Sequence, residues 1–545
     1  MTGAKAYRIA VVGLGPRALG ALEALAERLD GPGAAVQIDL FDPLPWPGAG
    51  PNFAPDQSPL CLLNLPLHAI DLPPVPNLPD LADWLGPAGA DPDRHPSRAE
   101  LGGYFAVRFQ ALLRRAPFDL THDRQAALRL DRDAAEGWWL GTAEARHGPY
   151  AEVLLTQGQP LSAPDPQLAR WQDHARRIGA PLRPAYPADV LVQAAQDWAG
   201  QTVAIRGLGL ATLDVIRLLT LGLGGRFRGG SYLASGREPA RLMPFSLDGL
   251  PPWPKPASRA LDRRFAPTPE ESRDFALALA EAIHDAPDAA LHRICAALIP
   301  PVLRILDGCG VSATAPEIAA WLAAERDRPG RQDPQDPLAL LDRGIALARG
   351  LVPPDPGYAI GQLWRKWQNI LRQGFNPDPP APQTAAAILG FDEGLKRYSY
   401  GPPVSNLEEL LILARAGRVD LRAADDPDVL LTETGWHLVE DDASAHAGIM
   451  VDAVLPGPRI ETLADPLLAG LRDAGRVKAR GAGLAAEVRP DGQVLGRDGL
   501  QPGLAILGRL ALGSVIAADS IHDCFGAAAH RWAEGVASRA QGGLL

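Results

Sequence analysis

A short apolar run that ends in two closely spaced glycines constrains this chain more than any other feature. Residues 7–12 form the run, Gly13 and Gly15 follow directly, and leucines and alanines then recur at helical spacing over 19–29. This order predicts a strand, a tight turn and a helix. The glycines let the backbone approach a pyrophosphate, and Ala18 is small enough for the strand and the helix to pack closely.

The next strand supports a dinucleotide site at this turn. Residues 36–41 form a second apolar segment that ends at Asp42, whose carboxylate is well placed to accept ribose hydroxyls. Pro16 and Arg17 lie in the turn and belong to the predicted site. A glycine turn without a ligand is the competing interpretation, and the flanking strands and helix disfavour it.

A second motif of the same kind occurs much later in the chain. Residues 202–205 predict a strand, Gly207 and Gly209 form the turn, and Asp214 lies on the following helix. Thr212 stands where glycine or alanine is expected, which weakens the prediction of a tightly bound pyrophosphate. Because a dehydrogenase with one nucleotide needs one such motif, the pair favours FAD at the first turn and a nicotinamide nucleotide at the second.

The end of the next strand bears on which nucleotide binds there. If Ser246 and Asp248 end that strand, Asp248 would accept ribose hydroxyls and repel a 2′-phosphate. Two like charges near 4 Å repel by about 1 kcal/mol in water and about 4 kcal/mol at an effective dielectric of 20. Arg237 could compensate by folding over the site. The sequence thus slightly favours NADH over NADPH, and a second site without nucleotide is a further alternative.

Arg397, Tyr398 and Tyr400 are the candidate substrate-binding residues. They lie just before a pair of prolines, and a guanidinium suits a carboxylate-bearing small molecule. The alternative is a solvated arginine beside tyrosines that pack in the core.

Composition excludes several other functions. The net charge of -11 disfavours nucleic acid and an anionic membrane as partners. The four cysteines are widely separated and the histidines form no metal-ligand pattern, so we expect no metal. Neither a secretion signal nor a membrane span is expected, which favours the cytoplasm. The sequence is compatible with a homodimer.

The order of predicted elements indicates an α/β fold of the glutathione-reductase type, with two Rossmann-like dinucleotide-binding domains. We expect an FAD-binding domain from residues 1–160 and 435–545. A nicotinamide-type domain would cover 195–258, and a mostly helical insertion or substrate cap would cover 259–434.

Seven short blocks of the chain resemble one family. That family comprises FAD/NAD(P)-binding proteins and includes bacterial flavin-dependent amino-acid N-monooxygenases of the aspartate type. The blocks are VVGLGPRALGALEAL near the start, LLNLPLHAIDL (62–72), HPSRAELGGYF (95–105), VAIRGLGLATLDV (203–215), GGRF with SGREP (224–239), KRYSYGPP (396–403) and GLAILGRLALGSV (503–515).

The resemblance implies additional residues near the flavin. Asn64 and Leu65 would pack beside it, and Arg98 would lie in the segment that covers it. The tail block around Gly508, Gly513 and Ser514 would close over the ring. A predicted helix start at 513–514 would also direct backbone N–H groups at the flavin.

The leading hypothesis is therefore an FAD-dependent monooxygenase that hydroxylates an amine of a small amino-acid-like substrate with NAD(P)H and O₂. One alternative is a flavin-dependent reductase or dehydrogenase without oxygen transfer. Another is a flavoprotein with a degenerate nicotinamide site that acts as a binding partner.

Overall fold

The computed structural model describes residues 6–29, 35–133, 137–441 and 443–542. It is an α/β protein with two parallel sheets, as the sequence predicts. In chain order the strands are β1 (Tyr7–Val12), β2 (Val36–Phe41), β3 (Asp119–Asp123), β4 (Arg129–Asp133), β5 (Gly137–Gly141), β6 (Arg146–Tyr150), β7 (Glu152–Leu155), β8 (Leu182–Pro184), β9 (Thr202–Arg206), β10 (Arg226–Arg228), β11 (Ser231–Leu233), β12 (Arg241–Phe245), β13 (Asp428–Thr432), β14 (Gly435–Glu440), β15 (Ala443–Ala447), β16 (Ile449–Asp452), β17 (Gln493–Gly496) and β18 (Gly499–Ile506).

Helices pack against both sheets, and a run of consecutive helices lies in the chain between β12 and β13. They are α1 (Pro16–Arg28), α2 (Leu81–Leu85), α3 (Arg98–Arg115), α4 (Pro166–Ile178), α5 (Ala188–Ala194), α6 (Leu210–Thr220), α7 (Arg259–Asp262), α8 (Pro269–Ala282), α9 (Pro287–Gly308), α10 (Ala315–Asp327), α11 (Pro337–Ala348), α12 (Pro356–Lys366), α13 (Gln368–Phe375), α14 (Pro382–Ser399), α15 (Val404–Arg415), α16 (Pro466–Asp473), α17 (Ile521–Cys524) and α18 (Ala527–Ala540).

The first sheet has the order β17-β18-β7-β1-β2-β3. All neighbours from β18 to β3 are parallel, and β17 is an antiparallel edge strand. Because the strands are parallel, the residues that follow β1, β2, β7 and β18 meet at one edge. The predicted βαβ unit of β1, α1 and β2 builds the centre of this sheet.

The second sheet has the order β12-β9-β16-β8, and all its pairs are parallel. The prediction that the chain rejoins the first sheet from residue 435 onward is wrong as far as β16. Strands β14 and β15 pair with each other and β14 pairs with β13, while Ile449–Asp452 pairs with β9. An apolar strand fits a buried parallel position in either sheet, so sequence pattern alone could not assign it.

Two adjacent segments connect the sheets. The chain leaves the first sheet after β7 and returns to it after β16. Ser162 and Leu463 form an antiparallel bridge between these segments, the Ala163 N–H donates to Thr462 O at 2.7 Å, and the Ala464 N–H donates to Leu161 O at 2.9 Å. The outgoing and returning segments therefore run side by side.

Helices α8 to α14 share a hydrophobic core with large buried side chains, including Trp364 and Trp367. Among the described residues, α9 is the one helix long and apolar enough to cross a membrane, and half of its most apolar window is buried in this core. Core helices of globular proteins meet the same criterion.

A buried ion pair joins α1 to α3 beneath the first sheet. Arg108 Nη2 lies 2.6 Å from Glu23 Oε2, and Arg108 Nη1 donates to the Pro73 carbonyl at 2.7 Å. The side chains of Arg108 and Glu23 are 1% and 7% exposed. Removal of one partner would leave a buried charge without compensation.

We predict that Glu23→Ala lowers the free energy of unfolding by about 3 kcal/mol, because Arg108 stays buried without its carboxylate. Urea denaturation followed by tryptophan fluorescence measures the change. The matched control is Glu281→Ala, which removes the exposed partner of Arg293 and should leave the midpoint unchanged. Equal midpoints for both variants would contradict the assigned role of this ion pair.

Candidate functional site

The first glycine turn joins β1 to α1 and presents backbone rather than side chains. Gly13 has a φ of +85°, and a Cβ there would lie 3.0 Å from Gln157 Cα, so the turn requires glycine. At Gly15 the nearest described atom to such a Cβ is Gly50 Cα, at 3.8 Å. Pro16 opens α1, and no described side chain caps this helix. The turn therefore offers space and free N–H groups to an anion.

Asp42 follows β2 at the same edge and is 7% exposed. Its Oδ2 accepts the Leu14 N–H at 2.6 Å, and its Oδ1 accepts the Leu44 N–H at 2.8 Å. Each carboxylate oxygen keeps a second lone pair. Asp42 thus fastens the glycine turn and can still accept hydroxyl groups. Ala18, fully buried on α1, completes the close contact with the sheet.

Three polar side chains at this edge are candidates for binding. The sequence analysis missed two of them, Gln157 and Gln159, whereas the third, Arg509, lies in the tail block assigned to the flavin. The Oε1 atoms of Gln157 and Gln159 and the Nε of Arg509 are buried, with no hydrogen-bond partner in the described part of the chain. Buried polar atoms are normally satisfied, so these groups fit a polar ligand between the ends of β7 and β18. In the sequence, Gln157 could have been identified because it directly follows a predicted strand.

Arg17 contacts the C-terminal segment from the glycine turn. Its Nη1 lies 2.8 Å from Asp523 Oδ2, and its Nη2 donates to the Ala518 carbonyl at 2.9 Å. A Cβ at Gly508 would lie 2.4 Å from Arg17 Nε. Arg17 and Gly508 therefore meet, as their assignment to one site requires, and Arg17 holds the segment after β18 against the turn.

The predicted helix start at 513–514 is wrong, because helices begin further on, at α17 and α18. Gly513 has a φ of +105°. The Ser514 hydroxyl is buried, accepts the Val488 N–H at 3.0 Å and donates to the Ala486 carbonyl at 3.2 Å. A serine that bonds to a distant segment in this way is not an N-cap, and this contact is invisible in the local sequence.

Asn64 and Tyr400, predicted at different sites, lie together. Asn64 Nδ2 donates to the Tyr400 carbonyl at 3.3 Å, and the neighbouring Leu65 is half-buried. Lys255, which the sequence analysis missed, donates to the carbonyls of Asn64 at 2.7 Å and Gly401 at 2.9 Å. Burial lowers the pKa of Lys255 well below its ordinary value. In the sequence, Lys255 could have been identified because it is a lysine placed among prolines at 251–256.

The second glycine turn joins β9 to α6. Gly207 has a φ of +107°, and a Cβ at Gly209 would meet no described atom within 4 Å. Thr212 is fully buried, and its hydroxyl donates to the Gly207 carbonyl at 2.7 Å. Thr212 thus closes the turn from inside and does not obstruct the space in front of it.

Arg98 and Asp214, predicted at the flavin and nicotinamide sites respectively, pair with each other. Arg98 Nη2 lies 2.6 Å from Asp214 Oδ2, and the Tyr186 hydroxyl donates to the same oxygen. Asp214 is 3% exposed. Burial raises the pKa of Asp214, although Arg98 acts against that shift. This contact joins α3 to α6, and with them the two sheets.

Ser246 and Asp248 follow β12, which is the parallel neighbour of β9, as the prediction requires. The Ser246 hydroxyl donates to Asp248 Oδ1 at 2.7 Å. The other carboxylate oxygen of Asp248 contacts the Arg397 guanidinium. The Arg397 side chain is 9% exposed, against 42% for Asp248. Because Arg397 offsets the charge of Asp248, repulsion of a 2′-phosphate is weaker than the sequence suggests.

Arg237 lies at the opposite edge of the second sheet, so the prediction that it folds over the nucleotide site is wrong. Its Nη2 is 2.3 Å from where a Cβ of Gly224 would be, beyond the C-terminal end of α6. Residue 237 also precedes the start of β12. The carboxyl ends of β9 and β12 are therefore one strand length away.

Tyr398 is fully buried in the helical core rather than facing a cleft. Its hydroxyl donates to Asp333 Oδ2 at 3.0 Å, and its ring stacks on Trp253 at 6.4 Å between centroids. Tyr398 therefore packs in the core, as the alternative interpretation proposed. Arg397 is paired with Asp248, so the assignment of Arg397 and Tyr398 to substrate binding loses support. Tyr400 remains at the junction with Asn64. Within the described ranges, no group of three or more potential metal ligands is present.

Residues 10–160 match the family model for FAD-NAD(P)-binding domains, which contains the first glycine turn and Asp42. The chain is 35% identical over 266 residues to nitrosuccinic acid synthase of Aspergillus oryzae, covering 45% of this chain and 40% of that protein. It thus spans less than half the length of this relative.

Longer matches are more distant. L-aspartate N-monooxygenase (nitrosuccinate-forming) of Streptomyces cremeus is 26% identical over 582 residues, covering 86% of this chain and 83% of that protein. Among solved structures, the ornithine N-hydroxylase of Kutzneria sp. 744 is 12% identical with a TM-score of 0.48, covering 98% of this chain and all of that one.

Substitutions at the two glycine turns should each remove a different ligand. Gly15→Val should yield folded protein without FAD, because its side chain enters space that the fold leaves open and a pyrophosphate needs. Gly209→Val should keep FAD but abolish anaerobic flavin reduction by NADH or NADPH. Flavin absorbance and stopped-flow reduction measure the two outcomes. Full FAD content in Gly15→Val would show that the cofactor lies elsewhere.

Proposed function

We propose that this chain is an FAD-dependent monooxygenase that hydroxylates the amine of a small amino-acid-like molecule, using NAD(P)H and O₂. The carrying observation is the pair of open glycine turns, Gly13–Gly15 and Gly207–Gly209, at the carboxyl edges of two joined parallel sheets. One turn suits FAD and the other suits the nucleotide that reduces it. The chemistry of amine hydroxylation is proposed from the relatives, one of which is named as a nitrosuccinic acid synthase and another as a nitrosuccinate-forming L-aspartate N-monooxygenase.

We propose a corresponding division of the chain. The first sheet with its helices would be the FAD-binding Rossmann domain, formed by residues 1–160 and the chain that returns after β16. The second sheet would be the nicotinamide-type Rossmann domain, and it includes β8 and β16 as well as residues 195–258. Helices α7 to α15 would form the insertion that covers the substrate.

The residues fit the cofactor that this proposal requires. Backbone N–H groups at the start of α1 would hold the pyrophosphate, and Asp42 would accept ribose hydroxyls. Gln157 and Gln159 supply polar atoms that are unpaired within the described residues. FAD, when bound, supplies the electron transfer and oxygen activation. The chain itself positions the amine and excludes water through the segment held by Arg17 and Asp523.

Oxygen transfer is distinguished from simple reduction by the fate of the reducing equivalents. In the presence of the true substrate, we expect peroxide release per NAD(P)H oxidised to fall and a hydroxylated amine to form, because oxygen is then consumed productively. The assay uses L-aspartate, L-ornithine and cadaverine as candidate amines. Equal peroxide yield with every amine would favour the reductase alternative, and no flavin reduction by either nucleotide would favour the binding-partner alternative.

The Asp248–Arg397 pair gives a prediction about nucleotide choice. Asp248→Asn should shift the ratio of flavin reduction rates toward NADPH by about tenfold, equivalent to about 1.4 kcal/mol, because Arg397 becomes free to bind a phosphate. Anaerobic stopped-flow measurement with each nucleotide gives the ratio. Asp342→Asn, which removes an exposed carboxylate paired with Arg415, is the control. An unchanged ratio in Asp248→Asn would mean that the nucleotide ribose does not lie at the end of β12.

A further inference from the structure

Two consecutive apolar side chains are exposed directly after β16. Val454 is 41% exposed and Leu455 is 53% exposed. Among the described residues, no other two large apolar side chains that are adjacent in sequence are both exposed to this extent. A ligand that covered this pair would remove apolar surface from water, and its binding would be stabilised by that burial.

The chain at this point is fixed to the second glycine turn. Strand β16 runs parallel to β9, so the residues that follow both strands lie at one edge of the second sheet. The Ala453 N–H donates to the Arg206 carbonyl at 2.9 Å. A Cβ at Gly207 would lie 3.4 Å from Val454 Cγ2, which is van der Waals contact. Val454 therefore borders the turn that suits the reducing nucleotide.

The next residues are fixed to the first site. The Pro456 carbonyl accepts hydrogen bonds from Gln159 Nε2 at 3.2 Å and from Arg509 Nη2 at 3.4 Å. Arg509 directly follows Gly508, which lies against Arg17 of the first turn. Gln159 and Arg509 each keep a buried polar atom that has no partner among the described residues. This end of the segment therefore reaches the edge that suits the flavin.

Residues 453–456 thus connect the two turns, and both ends of this segment are held by hydrogen bonds. The segment spans at most about 11 Å, because each residue extends the chain by about 3.6 Å at most. A nucleotide held at the second turn by its pyrophosphate has to extend its nicotinamide ring toward the flavin in order to reduce it. The exposed side chains of Val454 and Leu455 lie along this path. They carry no charge and no hydrogen-bonding group, so they suit the face of a planar ring and not a phosphate.

We propose that Val454 and Leu455 form a platform on which one face of the nicotinamide ring packs, so that the other face is turned to the flavin. The inference rests on the proposed function, since it places one part of the nucleotide which that function requires. Apolar side chains with a few polar groups around them are the usual lining of a cofactor site. Here the polar groups are those of Gln159 and Arg509, which hold the segment from the flavin side.

The test compares ligands with and without the nicotinamide ring, titrated into the FAD-loaded protein by isothermal calorimetry. The pairs are NAD⁺ with ADP-ribose, and NADP⁺ with 2′-phospho-ADP-ribose. Val454→Ser and Leu455→Ser should each weaken binding of the complete nucleotide at least about fivefold, because apolar contact with the ring is lost. Affinity for the shortened ligand should not change. Leu430→Ser is the matched control, because Leu430 is also 53% exposed but lies on β13, in a different sheet.

FAD content accompanies each titration, so that a misfolded variant is recognised. Unchanged affinity of folded Leu455→Ser for the complete nucleotide would overturn the proposal, and so would an equal loss for ligands with and without the ring. Either result leaves the proposed function standing, because the nucleotide still binds. A loss confined to the complete nucleotide, in a protein that hydroxylates no amine, would support the platform and reject the proposed function alone.

Discussion

Close contact between backbones at the first glycine turn is the constraint on which the rest of the site depends. Three separate segments reach this turn through glycines or their neighbours. Gly13 contacts Gln157, and Gly508 contacts Arg17. A Cβ added at Gly50 would lie only 3.0 Å from Gly15 Cα. Any side chain at these contacts would separate segments that are far apart in sequence. The turn thus determines where the ends of β7 and β18 and the C-terminal segment must lie.

Local features of this site were predictable because neighbouring residues determine them. The strand, turn and helix over 7–28 and the strand that ends at Asp42 follow from periodicity and glycine placement. The second turn at 207–209 was found by the same reasoning. At this level the sequence contains the necessary physical information within about 15 residues.

Contacts between distant residues were not predictable in the same way. Arg98 meets Asp214, Arg397 meets Asp248, and Ser514 bonds to residues 486 and 488. The sequence analysis assigned Ser514 and the four charged side chains to ligands, because an isolated sequence cannot show that a charge or a hydroxyl is already paired within the protein. The prediction for Arg237 was wrong for a different reason. The sheet edge at which Arg237 lies depends on where β12 begins, and the sequence did not locate that strand.

The paired segments between the sheets determine how the two halves can move. A single linker would permit rotation about its own axis as well as bending. Two antiparallel segments joined by the Ser162–Leu463 bridge and its flanking hydrogen bonds resist twisting, and they leave bending about one axis as the low-cost motion. The contact between Arg98 and Asp214 is a further connection, made through α3 and α6 rather than through these segments. Any rotation of one sheet against the other would therefore have to break a buried ion pair as well as bend two chain segments together.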